Sequence, residues 1–241
     1  MRKVWPYIMF SGLLLYGIIV LTFAGTKLKT VACRGLQVAV RDAAANAFID
    51  ENDVEKLIRQ GYGEIEGLSV SRLDTDSIEH LLVRDPMIKS AQVYYSLDGY
   101  IHVEITQRRP VFRVLAGKGF YVDEEGRTMP LSPKYTSRVP VVTGKVTSEF
   151  AGEKLYPYIL SLRADPFWNA LVEQIVVEDR EELVLIPKVG DFRIVLGTLE
   201  KQEEKMEKLR LFLKEGTTKR GWNIYKEINL KFDKQVIGVK R

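Results

Sequence analysis

The 241-residue chain carries 36 Lys and Arg against 32 Asp and Glu, a formal net charge of +4, with 46% apolar and 28% charged residues. This balance excludes disorder over most of the length. The basic residues are interspersed with acidic ones, which excludes the basic stripe of a nucleic-acid-binding protein.

Segment 4–25, VWPYIMFSGLLLYGIIVLTFAG, runs 22 residues without a charge, between Lys3 and Lys27. As a helix it is roughly 33 Å long at 1.5 Å per residue, enough to cross a bilayer core. Residues 1–3 are then a short tail, and Trp5 and Tyr7 mark one interface. A cleaved signal peptide fits less well: the run is longer than an ordinary h-region, and no small-x-small site follows directly. TVAC, ending at Cys33, has the look of a lipoprotein cleavage box, but Lys27 and Lys29 interrupt the apolar run before it. Arg2 and Lys3 on one side nearly match Lys27, Lys29 and Arg34 on the other, so charge does not fix the orientation. Cys33 is the only cysteine, which excludes an internal disulfide and leaves the compartment open. It is read as an inert residue of the first strand.

The next stretch alternates helix and strand signals. GLQVAV, 35–40, reads as a strand. Asp50 is placed to cap a helix with Val54, Leu57 and Ile58 on its apolar face and acids in its first turn. Gly61, Gly63 and Gly67 break it. A second helix starts at about Asp74, buries Ile78, Leu81 and Leu82, and stops before Pro86. Ile88, Ala91, Val93 and Tyr95 form a strand, Leu97-Asp98-Gly99 a turn, and Ile101, Val103 and Ile105 the returning strand. The order is β-α-α-β-β. Arg108, Arg109 and Pro110 follow; Pro110 holds Arg109 extended, so the three read as a defined interdomain hinge.

From Val111 onward short strands are separated by Gly-, Pro- and Asp-containing turns. A helix is expected over 152–163, with Leu155, Ile159 and Leu162 on one face. Asp165-Pro166 supplies a cap and first helical residue before FWNALVEQI. A Lys- and Glu-rich amphipathic helix is expected over 199–214. In INLKFDKQVIGVKR, Ile228, Leu230 and Phe232 alternate, and 236–239 is expected to form a final strand with an open edge.

No constellation for catalysis is present. His80 lies inside a helix and His102 on the outward face of a strand, without metal-ligand spacing. There is no Gly-x-Ser-x-Gly and no phosphate loop. The pairs Glu124-Glu125 and Glu181-Glu182 sit by turns, and adjacency does not set two carboxylates across a cleft. The expectation is a non-enzymatic protein without cofactor or metal.

The β-α-α-β-β order resembles the POTRA domain, and the whole chain resembles the FtsQ/DivIB family of bacterial cell-division proteins. The residues carrying it are Pro86, Ala91, Val93, Asp98-Gly99, Val103, Glu104 and Pro110, then FYVDEEGRTMPLS from Phe120, VPVVTG from Val139, DFRIVLG from Asp191 and INLKFDKQVIGVKR. Tyr95-Ser96-Leu97 departs from the family's turn, and Glu104 to Pro110 is longer than usual. Asn229 and Gln235 replace the usual Asp and Gly, which puts the docking register in doubt. The resemblance implies an α+β chain: a single N-terminal transmembrane helix (4–25), a POTRA domain (30–109) and a β-rich domain with a few helices (110–241). It implies a division scaffold at the septum, with its N-terminus in the cytoplasm and its bulk in the periplasm. Its partners would be FtsB (DivIC)- and FtsL-like coiled-coil proteins, docked by strand addition on Lys231, Phe232, Val236, Ile237, Gly238 and Val239. The POTRA domain would contact other divisome proteins. The rival reading is a POTRA-bearing envelope secretion or assembly component, although the repeated alternating segments of a membrane barrel are missing.

Overall fold

The computed structural model describes residues 5–28, 32–44, 46–69, 72–96, 98–220, 224–233 and 235–241. The chain divides into two compact units, Met1–Gln107 and Arg108–Arg241.

The first unit opens with helix α1, Trp5–Leu28. Its side chains are described over 9–20, where Met9, Phe10, Leu13, Leu14 and Leu15 are exposed. Among the described residues no helix is long and apolar enough to cross a membrane, so the expected span over 4–25 is not established. The tail 1–3 and Val4 lie outside the described residues.

The β-α-α-β-β order is present as β1 (Gly35–Val40), α2 (Glu51–Gly61), α3 (Thr75–Val83), β2 (Ile88–Tyr95) and β3 (Tyr100–Gln107). Among the described residues these strands make a three-stranded sheet, β1-β3-β2, with β1 parallel and β2 antiparallel to β3. Asp50 closes a capping box with Asp53, each side chain accepting the other's backbone N–H. Asp74 caps α3 through Ser77 N–H. The helices bury Val54, Ile58, Ile78 and Leu82 against Val93, Ile101, Val103 and Ile105. Cys33 precedes β1 rather than lying within it. It is buried, and its Sγ–H donates to Gly35 O at 3.7 Å.

The last residue of β3 closes this unit. Gln107 is fully buried, and its Oε1 accepts Phe48 N–H and Ile49 N–H at 3.0 and 3.1 Å. Its Nε2 donates to Asn46 O at 2.7 Å and to Asp42 Oδ1 at 3.4 Å. One amide thus satisfies the backbone of the loop leading into α2, which no cross-strand pairing reaches.

The second unit contains β4 (Pro110–Leu115), β5 (Phe120–Asp123), β6 (Thr128–Pro130), β7 (Val141–Gly144), α4 (Ser148–Phe150), a π-helical turn Ala151–Leu155, α5 (Tyr156–Ala164), α6 (Pro166–Leu171), β8 (Val172–Val177), β9 (Leu183–Pro187), β10 (Arg193–Gly197), α7 (Gln202–Arg220), β11 (Tyr225–Asn229) and β12 (Ile237–Lys240). The helix expected at 152–163 therefore starts earlier, where the Thr147 hydroxyl accepts Phe150 N–H. VEQI is strand rather than helix, and α7 starts and ends later than the expected 199–214.

The strands form one nine-stranded sheet among the described residues, ordered β12-β11-β10-β9-β8-β7-β4-β5-β6. β7 and β8 are parallel, joined by α4 to α6, and β10 and β11 are parallel, joined by α7. Both crossovers step the same way along the sheet. A shared right-handed sense places their helices on one face. Phe112, Val142, Ile175, Leu185, Ile194 and Ile228 line that face beneath Leu162, Trp168, Leu209 and Leu213. Fully burying each such side chain is worth about 1.5–3 kcal/mol. Gly144, at φ +93°, has no room for a side chain: a Cβ would stand 2.1 Å from Val177 O.

A candidate partner-binding edge

The sheet ends on β12, which is paired with β11 alone among the described residues. Its register sets Asn229 opposite Ile237, Ile228 opposite Gly238 and Glu227 opposite Val239. Arg241 N–H donates inward to Ile224 O at 3.2 Å. Strand alternation then turns the N–H groups of Lys240 and Gly238 outward, away from β11. Gly238 is required by packing: a Cβ there would lie 2.5 Å from Tyr225 Cε1 and 3.1 Å from Phe212 Cζ. Those two rings pack against each other with centroids 5.3 Å apart.

Both ends of β12 are tied by charge. At its far end the Arg241 guanidinium bonds Asp191 O at 2.6 Å and the Asp191 carboxylate. At its near end the connector from β11 is held at three points. Asn229 Oδ1 accepts Lys231 N–H at 3.0 Å, so the Asn at this position still closes the strand as an acceptor. Lys231 Nζ bonds both Glu182 oxygens at 2.7 and 2.8 Å, its stem lying over Gly197. Asp233 pairs with Lys201 Nζ at 3.3 Å, and its carbonyl accepts Lys208 Nζ. On the same helix, burial lowers the Lys205 pKa, and its Nζ bonds Thr198 O at 2.8 Å.

The six residues expected to dock a partner therefore play different parts. Ile237, Gly238 and Val239 lie on the edge strand. Phe232 is 48% exposed at its foot, whereas Lys231 is committed to Glu182. Val236 precedes the strand and packs against the core, which removes it from the edge expected over 236–239. Phe232 lies beyond β11, which ends at Asn229, and Lys234 lies outside the described residues. Sequence reading missed Glu182, Asp191 and Lys240. The first two are 49 and 50 residues from their partners, and no local signal marks such a pair.

The three expected hinge residues belong to the second unit. Arg108 Nη1 approaches Asp123 Oδ2 at 3.4 Å, Arg109 O accepts Glu124 N–H at 3.0 Å, and Pro110 begins β4. Asp123 is 2% exposed. It also pairs with Arg127 and accepts the Glu125 and Arg127 N–H groups at 2.9 Å.

The two histidines and Glu104 make local contacts. His80 Nδ1 is 2.8 Å from Asp76 O. His102 stacks on Tyr94 with centroids 5.1 Å apart. Glu104 is held below the usual carboxylate range by the Arg41 guanidinium and then by the Tyr94 hydroxyl. Among the described residues no group of three His, Cys, Asp or Glu side chains is placed to hold a metal.

Two family models match the chain. A POTRA-like domain covers residues 31–106, and the domain described as FtsQ/DivIB, C-terminal related, covers residues 109–239. No curated protein matches it. The second match spans more than half of the 241 residues. With a POTRA-like unit preceding a β-rich unit that ends on an edge strand, the chain belongs to the FtsQ/DivIB family and is a cell-division protein of the POTRA type.

Proposed function

We propose that this protein is a non-enzymatic scaffold of the division septum that captures a partner strand on β12. The observation that carries the reading is the position of β12, last in the sheet and, among the described residues, hydrogen-bonded on one side only. An open edge offers a row of N–H and C=O groups to an incoming strand. The pairing of β12 with β11, with the Arg241–Asp191 contact just past its end, orders the strand before binding, which lowers the ordering cost of capture. The partners are FtsB (DivIC)- and FtsL-like proteins, and through them the scaffold links divisome proteins and helps control septal peptidoglycan synthesis.

In the same reading, segment 4–25 anchors the chain in the cytoplasmic membrane, with the bulk in the periplasm. The exposed run of Leu13, Leu14, Leu15, Ile18 and Ile19 supports an apolar surrounding for α1. Protease added outside intact cells is expected to digest the bulk of the chain; digestion only after the cytoplasm is opened would overturn this topology. Residues 108–110 lead the chain from the POTRA-like unit into β4, and other divisome proteins meet the POTRA-like unit.

Lys240→Pro tests the edge directly. It removes one outward N–H and leaves the inward pairing to β11 in place. Partner capture is expected to fall about tenfold or more, with the far-UV circular dichroism unchanged. Phe232→Glu, at an exposed site, is expected to weaken capture with the same spectrum. Capture at the wild-type level by folded Lys240→Pro would sink strand addition at β12.

A further inference from the structure

The free side of β2, in the POTRA-like unit, is closed by a side chain. Among the described residues β2 pairs with β3 alone, so its other side is an edge. Just past its end, Ser96 N–H donates inward to Tyr100 O at 3.0 Å. Strand alternation then turns the N–H groups of Ala91, Val93 and Tyr95 outward, away from β3. The middle one is taken: Val93 N–H donates to Glu79 Oε1 of α3 at 2.7 Å. Glu79 is half-buried and forms no ion pair among the described residues. It stands where an open groove of about 380 Å³ runs between Glu79, His80 and Val83 of α3 and Lys89 and Ala91 of β2.

The strand beside it has reason to be covered. Residues 90–96 read SAQVYYS, seven residues with no charge, no Pro and no Gly. Segments of that composition pair with copies of themselves when their edge is open. Tyr94 and Tyr95 are 46% and 48% exposed. Edge strands are ordinarily blunted by Lys, Pro or a bulge. Here Lys89 and the register shift between Ile88 and Ser90 blunt only the start of β2. An incoming strand has to offer a carbonyl to Val93 N–H, and the Glu79 carboxylate already fills that place with a negative charge.

We propose that Glu79 is an edge guard, which keeps β2 of one copy of this chain from adding to β2 of a second copy. Antiparallel pairing about Val93 sets the same segment against itself, a self-complementary contact. The proposal does not depend on the strand-addition reading of β12.

Sedimentation velocity of the full-length chain in detergent micelles tests it, with amide hydrogen exchange at Val93 as the local readout. Glu79→Ala and the near-isosteric Glu79→Met are expected to self-associate at least about tenfold more tightly than the wild type, with the far-UV circular dichroism unchanged. Their Val93 N–H is expected to exchange faster than in the wild type when dilute, and to slow again on association. Glu79→Gln keeps an accepting oxygen and is expected to sediment as the wild type does. Adding Gln92→Lys, at an exposed position within the segment, to Glu79→Ala sets a charge on each pairing strand and is expected to restore the wild-type level. Wild-type sedimentation by the folded Ala and Met variants, association of Glu79→Gln equal to that of Glu79→Ala, or association undiminished by Gln92→Lys would overturn the proposal. Unfolding of Glu79→Met would overturn it too, since Glu79 would then hold the fold rather than guard the edge.

Discussion

Asp123→Ala is expected to destabilise the β-rich unit by about 3–5 kcal/mol, the range for removing one partner of a buried ion pair. Asp123 is 2% exposed, and its carboxylate faces Arg108 and Arg127 while accepting two backbone N–H groups from its own turn. Alanine leaves the half-buried Arg108 guanidinium without its carboxylate and both N–H groups without an acceptor. Asp123→Asn keeps one oxygen for those N–H groups and loses the charge, so a smaller cost of about 1–3 kcal/mol is expected. Chemical denaturation followed through the buried Trp168 reads both. A change within about 0.5 kcal/mol for Asp123→Ala, the size of an ordinary surface substitution, would show that these pairs contribute little to the β-rich unit.

The second large effect belongs to the POTRA-like unit. Gln107→Ala is expected to cost about 2–4 kcal/mol, because Phe48 N–H, Ile49 N–H and Asn46 O lose their partner in a site with no water access. Gln107→Glu is expected to be worse near neutral pH. A carboxylate can still accept the two N–H groups, but it cannot donate to Asn46 O and faces the Asp42 carboxylate. Amide hydrogen exchange gives the local readout: protection at Phe48 and Ile49 should collapse in both variants. Protection at the wild-type level in Gln107→Ala would mean that the loop is held by something else.

The parts of the fold that depend on neighbours in sequence were legible. Asp50, Asp74 and Asp165 cap the helices expected of them, because a cap needs a side chain and an N–H only two or three residues apart. The period-two pattern of Ile101, Val103 and Ile105 likewise identified a strand with one buried face. The misses have a common cause. Gly152 read as a place for a helix to begin, yet it lies within a π-helical turn, pressed so close to the β5–β6 turn that a Cβ would come within 3.0 Å of Gly126 O. Only the tertiary approach of that turn explains the glycine. Val236 looked equivalent to Val239 in the alternating tail; packing into the core separates them.

The candidate site was half visible. An apolar terminal strand can be read from the last residues, and the resemblance pointed to the same place. The ion pairs that hold the strand join Lys231 to Glu182 and Arg241 to Asp191 across 49 and 50 residues. Separations of that size leave no mark in a single sequence. At 108–110 a long-range contact adds to what the sequence shows. Pro110 does restrict Arg109, but Arg108 is engaged by Asp123, 15 residues later, so the triplet is part of a folded unit.

The most direct test of the central claim is amide hydrogen exchange at β12 in the full-length protein, with and without a stoichiometric FtsB (DivIC)-type partner. Strand addition predicts that the outward N–H groups of Gly238 and Lys240 exchange at least about a hundredfold more slowly in the complex, with the inward N–H of Arg241 little changed. Unaltered exchange at Gly238 and Lys240 in a complex shown to have formed would contradict docking on this edge.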